Sequence, residues 1–175
     1  CFNCPAGWTN SSINTSLPCV QCGKGRKSSA DGFVCEACPM GSSNPEVRRA
    51  FCLPCLPGEF GNETGLHSCY KCAVGKASGV AESTNCSHCE AGQSSDSEGS
   101  AKCTPCGAGK YSNKQGQRDC QECERGQYRA AGDDADAKTC DECPEGYFQT
   151  DTGQASCLPC LPGEFGNETG LIKCH

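Results

Sequence analysis

The chemistry open to this chain is dominated by thiols. Cys-x-x-Cys pairs fall at 1/4, 19/22, 35/38, 52/55, 69/72, 86/89, 103/106, 120/123, 140/143 and 157/160, and Cys174 opens an eleventh. Paired thiols of this spacing hold zinc, exchange electrons, or close disulfides. Zinc takes four thiolates from two pairs. That would share the pairs two by two and leave unlike junctions between sites, and the steps between pairs do not alternate. Disulfides in an oxidising compartment are therefore the favoured chemistry, ahead of zinc and of a redox-active Cys-x-x-Cys. Twenty-one cysteines leave one over, and the expected orphan is Cys1. Two ladders satisfy that count. In one, the second cysteine of a pair joins the first of the next: Cys4–Cys19, Cys22–Cys35, Cys38–Cys52 and onward. In the other, like joins like in overlapping loops: Cys4–Cys22, Cys19–Cys35, Cys38–Cys55, Cys52–Cys69, Cys72–Cys89, Cys86–Cys103, Cys106–Cys123, Cys120–Cys140, Cys143–Cys160 and Cys157–Cys174. Spacing alone does not choose between them. A bridge closing a loop of roughly 15 residues contributes about 3 kcal/mol in the chain-entropy model.

The elements that position these thiols are repeats of about 17 residues. The third residue after each pair is glycine in all ten units: Gly7, Gly25, Gly41, Gly58, Gly75, Gly92, Gly109, Gly126, Gly146 and Gly163. A glycine so placed implies either positive φ or a backbone packed against a disulfide with no room for Cβ. Two residues later an aromatic is common (Phe60, Tyr111, Tyr128, Phe148, Phe165). A further glycine often sits four before the next pair (Gly65, Gly99, Gly116, Gly153, Gly170) and reads as a hairpin turn. Each unit is expected to be two very short strands with a turn between them, with no room for a helix and no 3.6-residue periodicity. One such unit cannot fold alone, so stacking must stabilise it. Residues 52–66, CLPCLPGEFGNETGL, recur verbatim at 157–171, and a three-residue insertion lies in the 123–140 unit.

Composition sets the class. Leu, Ile, Val and Phe together number 20 of 175 residues, below the roughly 20% at which a chain usually buries an apolar core. A conventional enzyme fold is not expected. The expected fold is small and disulfide-rich: an elongated solenoid or rod of ten cysteine-rich repeats with short β-hairpins, little helix and no large hydrophobic core. It forms one continuous array over 1–175, with units starting at 1, 19, 35, 52, 69, 86, 103, 120, 140 and 157 and a truncated unit at 174. A net charge of −6 and a pI near 5.1 disfavour nucleic acid and anionic membrane as partners. No apolar stretch reaches the roughly 18 residues that span a bilayer. The chain opens inside a Cys-x-x-Cys pair and reads as a mature segment of something longer.

Five sequons mark candidate N-glycosylation sites at Asn10, Asn14, Asn62, Asn85 and Asn167; Asn44 is excluded by Pro45. Asn62 and Asn167 occupy the same place in their units, at the expected hairpin tip. Asn85 has Cys86 in its middle position, so disulfide formation competes with the transferase. Asp133, Asp134 and Asp136 are spaced to hold Ca²⁺ but lack the EF-hand pattern, and a solvated insertion loop is the better reading. His67, His88 and His175 sit in no nucleophile or metal motif and are expected on exposed loops. Arg48 and Arg49 beside Phe51 are expected at the surface, and Trp8 is expected to pack on the first unit. Neither a catalytic group nor a cofactor is expected, and N-linked glycans are the expected covalent modification.

The pattern C-x-x-C-x-x-G-x-(F/Y)-x₄-G-x₃-C-x-x-C is carried by CLPCLPGEFGNETGLHSCYKC at 52–72, CTPCGAGKYSNKQGQRDCQEC at 103–123 and CDECPEGYFQTDTGQASCLPC at 140–160. It resembles the ephrin-receptor-like cysteine-rich repeat, and more loosely tumour necrosis factor receptor and EGF-like modules. Units 22–35 and 38–52 lack the aromatic. The resemblance implies an extracellular, disulfide-linked, elongated module with no single activity. It also implies the overlapping like-to-like ladder. Long arrays of such repeats resemble extracellular proteins of algae and other protists, including glycoproteins of hair-like flagellar appendages (mastigonemes). The expected function is thus a structural extracellular glycoprotein, a segment of a surface filament or matrix rod that self-associates. The alternative is the stalk or ligand-binding ectodomain of a surface receptor or adhesin.

Overall fold

The computed structural model describes residues 4–10, 18–132 and 137–175. Among these, every regular element is a strand of two or three residues, and the strands pair into nine two-stranded sheets. The expected hairpin is present, with a definite register. The two residues after the repeat glycine pair with the two central residues of the next Cys-x-x-Cys in all of these sheets, with a third pair, Ser28 and Cys35, in the second. Glu59 and Phe60 face Lys71 and Tyr70, and Lys110 and Tyr111 face Glu122 and Gln121.

A tight turn explains the repeat glycine. In nine of these ten turns the residue after glycine donates its N–H to the carbonyl three residues back, as from Glu59 to Leu56 at 2.8 Å and from Tyr147 to Pro144 at 3.0 Å. The third position of such a turn needs φ near +80°, and Gly58 and Gly146 have φ of 89° and 80°.

Ten disulfides close along the described chain, all in the non-overlapping pattern: Cys4–Cys19, Cys22–Cys35, Cys38–Cys52, Cys55–Cys69, Cys72–Cys86, Cys89–Cys103, Cys106–Cys120, Cys123–Cys140, Cys143–Cys157 and Cys160–Cys174. This corrects the like-to-like ladder that the family resemblance implied. The hairpin register is the physical reason. The turn at Leu56–Gly58 folds Cys55 back over its own hairpin, where its Sγ lies 3.4 Å from the position a Cβ on Gly61 would take. Gly61 follows Phe60, which pairs with Tyr70, so Cys69 stands across from that position. Cys55 and Cys69 thereby approach to 5.6 Å between Cα atoms.

The core is a file of half-cystines. Cys22, Cys38, Cys55, Cys72, Cys89, Cys106, Cys123 and Cys143 are all 1% exposed or less, and among the described residues Leu66 is the one large aliphatic side chain that is buried.

Packing divides the chain into two compact units. The first comprises Cys1–Ala73, Ala77–Ser87 and Glu98–Ala101; the second comprises Val74–Lys76, His88–Ser97 and Lys102–His175. Within the first, each repeat glycine lies against the turn of the hairpin after next. A Cβ on Gly7 would sit 1.8 Å from the Arg48 carbonyl oxygen, one on Gly25 2.0 Å from that of Gly65, one on Gly41 2.2 Å from that of Glu82, and one on Gly58 2.0 Å from that of Gly99. Within the second, Gly75, Gly109 and Gly126 meet Gly116, Gly153 and Gly170 at 2.0–2.1 Å, while Gly92 meets Ala137 of the insertion-bearing hairpin at a looser 3.5 Å. Cysteine peptides tie these contacts together. Cys72 donates its N–H to Gly58 O and accepts from Gly99 N; Cys89 donates to Gly75 O and accepts from Gly116 N. Seven glycines of the column are thus required twice, by φ and by close approach to a backbone turn.

Candidate functional site: a hairpin surface with sequons and an apolar cleft

The two verbatim segments place their sequons alike. Asn62 and Thr64, and Asn167 and Thr169, are exposed on the connection that closes their hairpins. Their surroundings differ. The residue that stands over each turn is the third of the Cys-x-x-Cys one pair before the hairpin's own. Over Gly65 it is Ala37, whose Cβ lies 3.7 Å from that glycine's Cβ position; over Gly170 it is Glu142, with its carboxyl carbon at 3.5 Å. Thr169 Oγ1 donates to Glu142 Oε2 at 2.7 Å. The same clasp recurs one hairpin earlier, from Thr152 Oγ1 to Glu122 Oε2 at 3.1 Å. In the first copy the engaged residue is instead Glu63, which accepts a 2.8 Å bond from the Tyr70 hydroxyl. That bond and the adjacent charge push the exposed Tyr70 phenol above its ordinary pKa.

Asn85 is exposed, and Cys86 in the middle of its sequon is bridged to Cys72. Asn10 is half-buried. Asn44, already disqualified by Pro45, is also fully buried and donates to Arg26 O at 2.6 Å. Cys1, Asn14, Asp133, Asp134 and Asp136 lie outside the described residues.

Two clefts open on this surface. In the first unit, a cleft of about 260 Å³ is lined by Pro39, Met40, Phe51 and Pro54, with Lys27 and Glu82 adding one charge of each sign. Met40 is 47% exposed and Phe51 57%, and the Arg49 guanidinium lies 5.7 Å from the Phe51 ring centre while pairing with Glu46 at 2.9 Å. In the second unit a cleft of about 250 Å³ is polar, lined by Ser94, Asp96, Thr104, Lys110 and Asp119. Arg48 is exposed, as expected, with its guanidinium 5.0 Å over the half-buried Trp8 ring. Among the described residues no group of three or more His, Cys, Asp or Glu is placed to hold a metal. His67, His88 and His175 are exposed, and His175 lies against Phe165 at 5.9 Å between ring centres.

Three features are not apparent from sequence patterning. Arg129 is 3% exposed, and its Nη1 donates to the carbonyls of Cys106, Gly107 and Lys110 at 2.9, 2.7 and 3.0 Å. The corresponding position in three preceding hairpins holds Ser78, Ser95 and Ser112, and that column is the only signal that marks Arg129 as unusual. Arg48 and Glu82 occupy the turn position taken by glycine elsewhere, with φ of 66° and 60°. Asp31 accepts from the Ser29 hydroxyl and from Phe33 N–H at 3.1 Å, which holds its carboxyl below the ordinary value.

These features define the class: a small disulfide-rich chain of ten cysteine-rich, disulfide-bonded repeats with short β-hairpins. Residues 92–132 and 132–171 match, one directly after the other, the family described as tyrosine-protein kinase ephrin type A/B receptor-like. That stretch of the chain is therefore two adjacent ephrin-receptor-like repeats. No curated protein matches the chain. Ten disulfides and this repeat family together point to an extracellular or cell-surface location in an oxidising compartment. Among the described residues no helix is long and apolar enough to cross a membrane.

Proposed function

We propose that the chain is a segment of a structural extracellular glycoprotein, part of a self-associating surface filament or matrix rod. The observation that carries this reading is the close backbone seating of seven of the ten repeat glycines, Gly7 to Gly75 and Gly109 and Gly126, on the turn of the hairpin after next. Main-chain atoms set that contact, so units can be added without limit while outward side chains vary. Solenoid repeats propagate by nearest-neighbour interfaces of this kind. The repeat family and the disulfide-rich fold support a structural, non-catalytic role. Exposed sequons at Asn62, Asn85 and Asn167 suit N-glycans as the modification, with no cofactor.

The test is sedimentation velocity over a wide concentration range, followed by electron microscopy of the native material. Concentration-dependent growth into regular filaments is expected. A strictly monomeric particle would overturn this reading. The apolar cleft at Met40 and Phe51 favours a second reading, the stalk or ligand-binding ectodomain of a surface receptor or adhesin. Loss of saturable partner binding on Phe51→Ser would select it.

A further inference from the structure

We propose that the two identical sequons are unequal modification sites in the folded protein: Asn62 accepts a glycan, and Glu142 shields Asn167 by holding the hydroxyl of Thr169. This rests on the reading of the chain as an extracellular glycoprotein. Fifteen residues around each site are the same, CLPCLPGEFGNETGL, so any difference between them arises outside that segment.

The transfer is a displacement. The asparagine Nδ2 attacks the anomeric carbon of an oligosaccharide carried on a lipid diphosphate. The N–C1 bond forms as the C1–O bond breaks, the lipid diphosphate leaves with the electron pair, and one amide proton passes to a base of the transferase. The sequon's Ser or Thr requirement means that the hydroxyl two residues on is itself recognised. At the second site that hydroxyl already donates to a carboxylate, Glu142 Oε2, at 2.7 Å. A charge-assisted bond is about twice as strong as a neutral one, and it must be broken before the transferase can engage Thr169. At the first site the residue in Glu142's place is Ala37, and among the described residues the Thr64 hydroxyl has no partner. The bond that Glu63 makes there, to Tyr70, engages the middle residue of the sequon, which any residue except proline satisfies. Glu142 and Ala37 are both exposed, so either can be exchanged without disturbing the half-cystine core.

The experiment uses the unglycosylated, disulfide-intact full chain with a purified oligosaccharyltransferase and a lipid-diphosphate oligosaccharide donor, and reads site occupancy by glycopeptide mass spectrometry. In the folded protein Asn62 is expected to be modified about tenfold faster than Asn167, the scale of one hydrogen bond to a charged group. Glu142→Ala should bring Asn167 up to the rate of Asn62, and Ala37→Glu should slow Asn62 toward that of Asn167. After reduction and alkylation the two sites should react alike. Equal rates in the folded chain overturn the proposal, as does a ratio that survives unfolding or ignores Glu142→Ala. Transfer to neither site of the folded chain, with both sites active once reduced, overturns it while leaving the glycoprotein reading standing. Transfer to neither site of the reduced chain overturns that reading as well.

Discussion

Replacing Gly58 by alanine separates the two demands that the structure places on the repeat glycine. Gly58 has φ of 89°, and an alanine held in a left-handed conformation costs about 1–2 kcal/mol. Its Cβ would also fall 2.0 Å from the Gly99 carbonyl oxygen. Both partners are backbone, so a hairpin must move by more than an ångström; overpacking of this kind costs a further 1–3 kcal/mol or so. Movement also loosens the Cys72 bonds to Gly58 and Gly99, 2.9 and 2.8 Å long, each worth about 0.5–1.5 kcal/mol. The expected total is on the order of 4 kcal/mol. Gly146 is the control. Its φ is 80°, and a Cβ there meets nothing within 4 Å, so Gly146→Ala should cost only the conformational 1–2 kcal/mol or so. Native-state hydrogen exchange reads both sites through matched amides, Cys72 N–H to Gly58 O and Cys160 N–H to Gly146 O, each at 2.9 Å. A difference of about 2–3 kcal/mol lowers protection at Cys72 roughly thirty- to hundredfold more than at Cys160, at 1.4 kcal/mol per tenfold. Equal losses at the two amides would refute the close-approach argument and leave φ as the sole reason for the glycine column.

Glu82→Gly should stabilise its hairpin by about 0.5–1 kcal/mol, because relief of the left-handed strain outweighs the added freedom of the unfolded chain; a raised thermal midpoint in calorimetry checks this. Arg129→Ala should destabilise by about 3–5 kcal/mol, since it strips a buried charge-assisted donor from the carbonyls of Cys106, Gly107 and Lys110. Faster reductive opening of Cys106–Cys120 reads that loss, and Arg129→Lys should restore part of it. Asp31 has its pKa lowered by the Ser29 hydroxyl and the Phe33 amide, so its contribution is present above the unfolded value of 3.8 and fades as pH falls through the lower folded value. Exchange of the Phe33 amide should accelerate on acidification below that range in the native protein, and Asp31→Asn should remove the dependence.

Much of the fold is written as periodicity. The glycine after each pair, the aromatic two residues on and the turn glycine at Gly65 or Gly153 mark a hairpin in each repeat. The pairing of cysteines is not written there, because both ladders close one bridge per junction and leave Cys1 over. Only the register of Phe60 on Tyr70 brings Cys55 to Cys69 rather than to Cys38. The seating of Gly58 on Gly99 is hidden for a related reason: a local pattern says that a residue must be small but does not name its distant partner. Arg129 follows serines at the same position of the three preceding hairpins, Ser78, Ser95 and Ser112, and no periodic signal separates a buried arginine from an exposed one. Of the surface features, the sequons were legible as motifs, whereas the Glu142 clasp on Thr169 depends on which hairpin lies alongside.

The non-overlapping bridges also have a mechanical consequence. Each disulfide closes a ring within one hairpin, and successive rings are joined only by the two residues inside a Cys-x-x-Cys. A pulling force therefore runs from Cys69 along three peptide steps to Cys72, then across the bridge to Cys86, 5.7 Å away between Cα atoms. Three steps reach about 10 Å at full extension, so the loops between bridges lie off the load path. A protease cut at a hairpin tip, beside Asn62 or Gly99, opens a ring without parting the strand. Tension and nicking, which sever an ordinary chain, leave this one connected until a sulfur–sulfur bond is reduced.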